Sequence, residues 1–255
     1  MKTIILSAGK GERLLPLTKE RPKILVELGD GTTLLSRQCK SLLERKNLGD
    51  IVIGGGHCAG RIDEFREESP YQERMSVVYN PFYGISGPLV TLWVVLNKVS
   101  DSDFMFMNGD TIFGSQVYDT IQTIIDGDRE GIFLLCSRHE DKGDDDVKVL
   151  VNDNGSIKKA GKQIEGADHV SAGITLVKGA SVSKLFRQIL EEVARTKDFL
   201  KYNKTWHSFL NDLIDRDVTV HSVEVEKKEW VEIDIHYELT ALQDLIRNKV
   251  IHTNF

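Results

Sequence analysis

The sequence predicts an α/β fold in which a predominantly parallel, mixed sheet lies between two layers of helices. Three observations point to it. The opening strand, the segment Leu34–Leu43 and the run IVIGGG at 51–56 follow in strand, helix, strand order with a connection long enough for a crossover, which implies parallel pairing. The apolar runs at 3–6, 51–53 and 104–107 lack polar alternation, as strands buried on both faces do. Each run stops at glycines or small polar residues, which places loops at the carboxyl edge of the sheet, where ligands bind in open α/β sheets.

The chain opens with strand Thr3–Leu6, which stops at Ser7, Ala8, Gly9, Lys10 and Gly11. A loop without bulky side chains lets backbone amides approach a ligand, and with nearby cations it forms a concavity suited to phosphates. Gly9, Gly11 and Arg13 follow the spacing GxGxR, with Pro22 and Lys23 downstream. A dinucleotide fingerprint requires a third glycine where Leu14 stands, and a P-loop requires GxxxxGK followed by Ser or Thr, a string the chain lacks. Lys23–Leu28 reads as a short strand or extended segment, GDGTT as a turn, and Leu34–Leu43 as an amphipathic helix. Gly54–Gly56 read either as a second phosphate loop or as a strand end that touches no ligand.

Ile62–Glu68 is expected to be helical and Ser76–Asn80 to form a third strand. The loop PFYGISGPLV leads into a helix over TLWVVLNKV; there Ser86 reads as a cap and Gly87 as a turn residue. The buried strand DFMFMNGD runs into Asn108, Gly109 and Asp110, which delivers a carboxylate to the same sheet edge as the opening loop. Because Thr111 and Ile112 continue extended, Asp110 reads as a ligand for Mg²⁺ in preference to a helix cap. Val117–Ile125 is an amphipathic helix and Gly131–Ser137 another buried strand.

The region 138–178 changes character: acidic residues, the alternating run VKVLV, a turn at DNGS and a second short strand read as a β-hairpin. Asp144, Asp145 and Asp146 cannot all face one ion, so a solvated loop is the better reading. Lys148 and Lys162 flank the hairpin and either reach over a bound phosphate or are surface lysines. His169–Val177 is a strand, and its Ala172 and Gly173 let a ligand lie close to the backbone. Val182–Ala194 and Trp206–Ile214 are helices, with His207 read as a surface or packing residue. In EWVEID, Glu232 and Asp234 lie two apart in an extended segment, so both point to one face, suited to metal contacts or, for Asp234, to a helix cap.

Composition bounds the function. At 255 residues and 28.8 kDa the chain suits one domain over 1–255 with a sizeable core. No apolar run approaches the roughly 20 residues of a membrane span, and the opening run is too short for a signal peptide, so the expectation is a cytoplasmic protein without a membrane partner. A net charge of −6 argues against nucleic acid. The cysteines Cys39, Cys58 and Cys136 have no zinc or disulfide spacing.

GxGxR at Gly9–Arg13, Pro22–Lys23, Gly109–Asp110, DDDVKV at 144–149 and WVEIDIHYEL at 230–239 together resemble the nucleotidyltransferases that join a nucleoside triphosphate to a sugar phosphate or small alcohol phosphate. The resemblance is closest to phosphocholine and aminoethylphosphonate cytidylyltransferase-like members, with sugar-1-phosphate nucleotidyltransferases using UTP, CTP or GTP as the alternative. It implies a Rossmann-like three-layer α/β/α fold with an inserted hairpin, 138–178, over the acceptor. It further implies transfer of a nucleotidyl group, CMP favoured, to a small phosphate or phosphonate, with release of pyrophosphate and Mg²⁺ as cofactor. Lys23 and Arg13 become the catalytic cations. Ser7, Ala8, Gly9, Lys10, Gly11, Ser86, Gly87, Thr91 and Asn108 bind the nucleotide, Lys148, Lys162, Gly173 and Glu232 the acceptor, and Asp110 and Asp234 the metal. A homodimer is compatible with it. A non-catalytic nucleotide-sensing subunit would have lost Lys23 or a metal carboxylate, and a glycosyltransferase would lack GxGxR and the Pro–Lys pair.

Overall fold

The structure is a computed structural model that describes residues 1–100, 102–139, 143–196, 198–199 and 205–247. Its main sheet runs in the order β10 (Val220–Glu224), β6 (Gly131–Arg138), β9 (His169–Lys178), β4 (Phe104–Asn108), β1 (Lys2–Ser7), β2 (Ile51–Gly55) and β3 (Met75–Tyr79). β1 is parallel to β2 and β4, β2 to β3, and β6 to β10, whereas β9 runs antiparallel between β4 and β6. The mixed, mostly parallel sheet is therefore as expected. The hairpin β7 (Lys148–Val151) and β8 (Ile157–Gly161) joins it through β9, and β5 (Thr111–Phe113) pairs with β11 (Trp230–Glu232) as a separate antiparallel ribbon. Glu140, Asp141 and Lys142 of the expected 138–178 region lie outside the described residues.

Two-residue alternation in the central strands feeds two cores. Ile5, Ile53, Met105 and Met107 pack under α1 (Leu34–Leu43), α2 (Ala59–Glu68), α4 (Ser115–Asp126) and α7 (His236–Arg247). Ile4, Leu6, Val52, Phe104 and Phe106 pack under α3 (Pro88–Leu96), α5 (Ala180–Thr196) and α6 (His207–Ile214). α1 starts where Thr33 and Ser36 form a reciprocal capping box, each side-chain oxygen accepting from the other's backbone N–H, at 3.1 Å and 2.8 Å.

One element differs from expectation. Lys23–Leu28 is not a strand: Lys23–Leu25 is a single 3₁₀ turn after Pro22, followed by an isolated bridge between Glu27 and Thr33. Ile24, Val26 and Leu28 alternate as in a strand, but they bury against the core under α1 with no neighbouring strand edge to complete a ladder. The turn matters for function because it lifts Lys23 toward the sheet edge where Asp110 sits.

Candidate active site

The opening loop is shaped by backbone contacts. Gly11 sits at φ 62°, Leu14 N–H and the Thr18 hydroxyl donate to its carbonyl at 2.9 Å and 2.8 Å, and the short turn Glu12–Leu14 that follows carries Arg13. The turn between β4 and β5 is tied to the same strand end, since Gly109 N–H donates to the Leu6 carbonyl at 3.0 Å. Asp110 in turn accepts at its carbonyl from Ile233 N–H, 2.9 Å, which hangs β11 and Asp234 beside it.

Residues far apart in sequence thus form one chain of alternating charge. Lys162 Nζ donates to Asp145 Oδ1 (3.0 Å), and Arg13 donates to Asp145 Oδ2 (2.8 Å) and Asp234 Oδ2 (2.7 Å). Lys23 Nζ donates to Asp234 Oδ1 (2.5 Å) and Asp110 Oδ2 (2.9 Å). Burial of Lys23 disfavours its charge, but the flanking Asp110 and Asp234 carboxylates outweigh this and raise its pKa, so it is a fixed cation. Arg13 behaves likewise between Asp234 and Asp145. Asp145 is held below the usual carboxylate range, first by its hydrogen bond from Lys162.

The ends of this chain differ in exposure, and that sets their strength. Side-chain exposure is 69% at Asp145 but 20% at Asp234 and 13% at Lys23. Water and salt screen the Asp145 pairs, which contribute little to stability. Asp145→Asn is therefore expected to shift Tm by less than about 3 °C while lowering KM for anionic substrates several-fold, since Arg13 and Lys162 are released. Steady-state kinetics at low ionic strength with a melting curve check this, and an unchanged or higher KM counts against it.

Asp110, Glu232 and Asp234 each offer a carboxylate oxygen, and these lie within 4.8 Å of one another. Asp110 Oδ1 is buried without a hydrogen-bond partner. Three convergent hard oxygen donors, one of them unpartnered, fit a divalent cation such as Mg²⁺. Burial, then the charges of Asp110 and Asp234, push the Glu232 carboxyl up to about 8 in the metal-free protein. Its ordinary value is 4.5, so between these limits the folded state holds a proton that the unfolded chain has released. Metal-free stability from this group is complete below about pH 4.5 and lost as pH rises through about 8. Glu232→Gln is expected to flatten the fall of Tm across that window in chelator, and a parallel fall in both proteins refutes it.

Two adjoining cavities meet at these charges and share Leu6, Gly9, Arg13, Tyr83, Asp110 and Asp234. The one over the opening loop, about 490 Å³, is lined by Ser7, Lys10, Gly11 and Lys23. The other, about 290 Å³, is lined by Ala8, Ser86, Thr91, Asn108, Lys162, Gly173 and Glu232. Gly87 instead precedes α3 as its first capping position, next to the lining residue Pro88. Lys148 is not brought to either cavity. Val147 lines the second one and Val149 is in the core, so two-residue alternation turns Lys148 to the opposite face. Gly54, Gly55 and Gly56 line neither: a Cβ on Gly56 would fall 2.6 Å from both the Ala8 carbonyl oxygen and Tyr83 Cβ, so this glycine serves close packing of the opening loop.

The second cavity also holds residues that sequence patterns did not single out. Trp206, 1% exposed, lies edge-on to Phe106 and donates from Nε1 to Asn108 Oδ1 at 2.9 Å, which fixes the Asn108 amide. His207, expected to be a surface or packing residue, is a buried lining residue stacked on Trp206, with Nε2 2.7 Å from Ser171 Oγ. Burial pushes its imidazole down to about 3, so it is neutral. Ser171 Oγ also accepts from Gly173 N–H at 3.0 Å, which holds Gly173 at φ 78°, a conformation that glycine adopts without strain. An apolar helix start at Trp206–His207 was the available signal, but nothing in it marks which side chains face a cavity.

Comparison with known proteins gives this geometry a family. Residues 3–196 match the MobA-like NTP transferase domain. The chain belongs to that family. It is accordingly a nucleotidyltransferase, with a Rossmann-like fold. It is 25% identical over 261 residues to choline-phosphate cytidylyltransferase of Streptococcus pneumoniae, spanning 98% of this chain and 100% of that one. It is 28% identical over 157 residues to the UTP–glucose-1-phosphate uridylyltransferase AglF of Haloferax volcanii, where the match spans 62% of this chain and only 63% of that relative. Among solved structures, CTP:phosphocholine cytidylyltransferase from Streptococcus pneumoniae superposes with a TM-score of 0.76 at 20% identity, covering 96% of this chain and 98% of that one.

Proposed function

We propose that the protein transfers CMP from CTP to a small phosphate or phosphonate acceptor, releases pyrophosphate and uses Mg²⁺, with residues 1–255 as one nucleotidyltransferase domain working in the cytoplasm. The observation that carries this reading is the place of Lys23. It is a buried ammonium, its pKa raised by its neighbours, that lines the cavity over the opening loop and is hydrogen-bonded to Asp110 and Asp234, two carboxylates that line both cavities and are fit for a divalent cation. Preference for CTP rests on the cytidylyltransferase relative, which the chain matches over its whole length.

Two anions must approach each other for an acceptor oxygen to attack the α-phosphorus in line with the departing pyrophosphate, so fixed positive charge supplies most of the catalysis. The loop from Ser7 to Gly11 offers its amides to the triphosphate, and Arg13 exchanges the exposed Asp145 for the β and γ phosphates. Lys23 donates toward the oxygens around the α-phosphorus. Lys162 receives the acceptor's phosphate as Asp145 is released. Mg²⁺ held by Asp110 and Asp234, with Glu232 beside them, would neutralise phosphate oxygens. No side chain acts as a nucleophile in this scheme.

The match to a uridylyltransferase favours one second reading, a sugar-1-phosphate nucleotidyltransferase. Pyrophosphate release, screened with four nucleoside triphosphates against phosphocholine, aminoethylphosphonate, glycerol phosphate and hexose-1-phosphates with Mg²⁺, separates the two. Turnover only with hexose phosphates overturns the cytidylyltransferase reading. Folded protein inactive with every pair overturns both.

A further inference from the structure

We propose that Gln38 is a positioning residue, whose buried amide clamps the turn Asn108–Thr111 and so holds the three carboxylates of the candidate metal site in mutual register. The proposal rests on reading Asp110, Glu232 and Asp234 as that site.

Gln38 stands on α1 among Leu34, Leu35, Cys39 and Leu42 and is 1% exposed. Its position belongs to the apolar face of that helix, where a polar side chain has to find partners or be a liability. Nε2 lies 2.7 Å from the Thr111 carbonyl oxygen, 3.2 Å from that of Asn108 and 3.4 Å from that of Gly109. Three acceptors around one end of the amide require the donor end to face them, because a flipped amide would set Oε1 against three oxygens. The two N–H groups are therefore spent on the turn, the shortest bond going to Thr111.

The opposite end of the amide, Oε1, is buried and has no partner. A half-satisfied amide in a core is worse for stability than an apolar side chain of the same shape. Stability of α1 thus does not account for glutamine here, whereas control of the turn does. That turn carries Asp110 and anchors the segment bearing the other two carboxylates: Thr111 pairs with Glu232 across β5 and β11, and the Asp110 carbonyl accepts from Ile233 N–H, next to Asp234. On its other side the turn is tied to β1 through Gly109 N–H. Gln38 completes the grip from the helical layer, so a single amide in α1 sets the spacing of ligands more than 120 residues apart in sequence.

Partners that orient the ligands of a metal typically change affinity by about 10 to 100-fold when removed. The test uses nucleotide-free protein, with Mn²⁺ binding followed by electron paramagnetic resonance and amide hydrogen exchange followed over 108–113 and 230–234. Gln38→Met is expected to raise the Mn²⁺ dissociation constant by about tenfold or more and to speed exchange in both segments. Gln38→Glu, which keeps the shape but turns a second oxygen to the carbonyls, should do the same and serves if the methionine variant does not fold. Leu42→Ala, a cavity in the same helix away from the turn, should lower Tm and leave both readouts at wild-type values. A folded Gln38 variant with wild-type affinity and exchange overturns the proposal, as does Leu42→Ala weakening Mn²⁺ equally. Wild-type protein that binds no Mn²⁺ overturns the metal reading itself, while the exchange rates still decide whether Gln38 holds the turn.

Discussion

Lys23→Ala is expected to lower turnover by about 10³-fold in folded protein, since removal of one preorganised charge donor typically costs 10² to 10³ in rate. Lys23 is the better candidate for so large an effect than Arg13. Its side chain is 13% exposed against 51% for Arg13, so its charge acts through a medium poorer in water. The substitution also leaves Asp110 and Asp234 facing each other without the ammonium between them. Metal-free Lys23→Ala should therefore melt lower than wild type, and divalent cation should recover more of the loss than it adds to wild type. Pyrophosphate release in saturating Mg²⁺, with paired melting curves, measures both. A folded variant turning over at near wild-type rate would remove Lys23 from the mechanism.

Asp234→Asn should be nearly as damaging, with turnover down by about 10²-fold or more. Its two oxygens are divided between Lys23 and Arg13, and it is one of the three carboxylates gathered for a cation. Asparagine keeps the shape and loses the charge. Asp145→Asn is the built-in comparison, because both carboxylates hold Arg13 but only Asp234 is shielded from water. The expected contrast is lost turnover with a raised Mg²⁺ requirement at position 234 and improved substrate affinity at position 145. Similar effects at the two positions would mean that Arg13 pairing, and not the metal carboxylates, dominates.

Much of the cavity over the opening loop was legible because its residues are consecutive. A strand, a loop without bulk, GxGxR and Pro22–Lys23 are local statements, and the structure assembles them over one cavity. Asp110 was legible for a similar reason: a buried strand can deliver its last residue only to the sheet edge. The second cavity was not. Lys148 and Lys162 flank the hairpin alike in sequence, yet only Lys162 reaches the cavity. Strand phase turns Lys148 away, since it alternates with the lining residue Val147, whereas Lys162 lies just past the end of β8 and reaches the cavity from there.

Gln38 shows the same limit in the helical layer. One glutamine on an apolar stripe reads as a tolerated polar residue, and its three acceptors lie 70 to 73 positions away. Trp206 and Asn108, 98 positions apart, meet through a single hydrogen bond that no local pattern encodes.

By itself the sequence determined the α/β class, most of the strands and helices in their order, the glycine loop after the first strand and the carboxylates destined for the sheet edge, because periodicity and motif spacing act over neighbouring residues. The tertiary structure alone decided that β9 runs antiparallel and that Lys23 sits between Asp110 and Asp234. It also decided that burial and the neighbouring carboxylates raise the pKa of Glu232 in the metal-free protein and that Asp145 bridges Arg13 and Lys162. Those outcomes depend on distance and dielectric between segments as much as 221 residues apart, and such quantities come into existence only when the chain is packed.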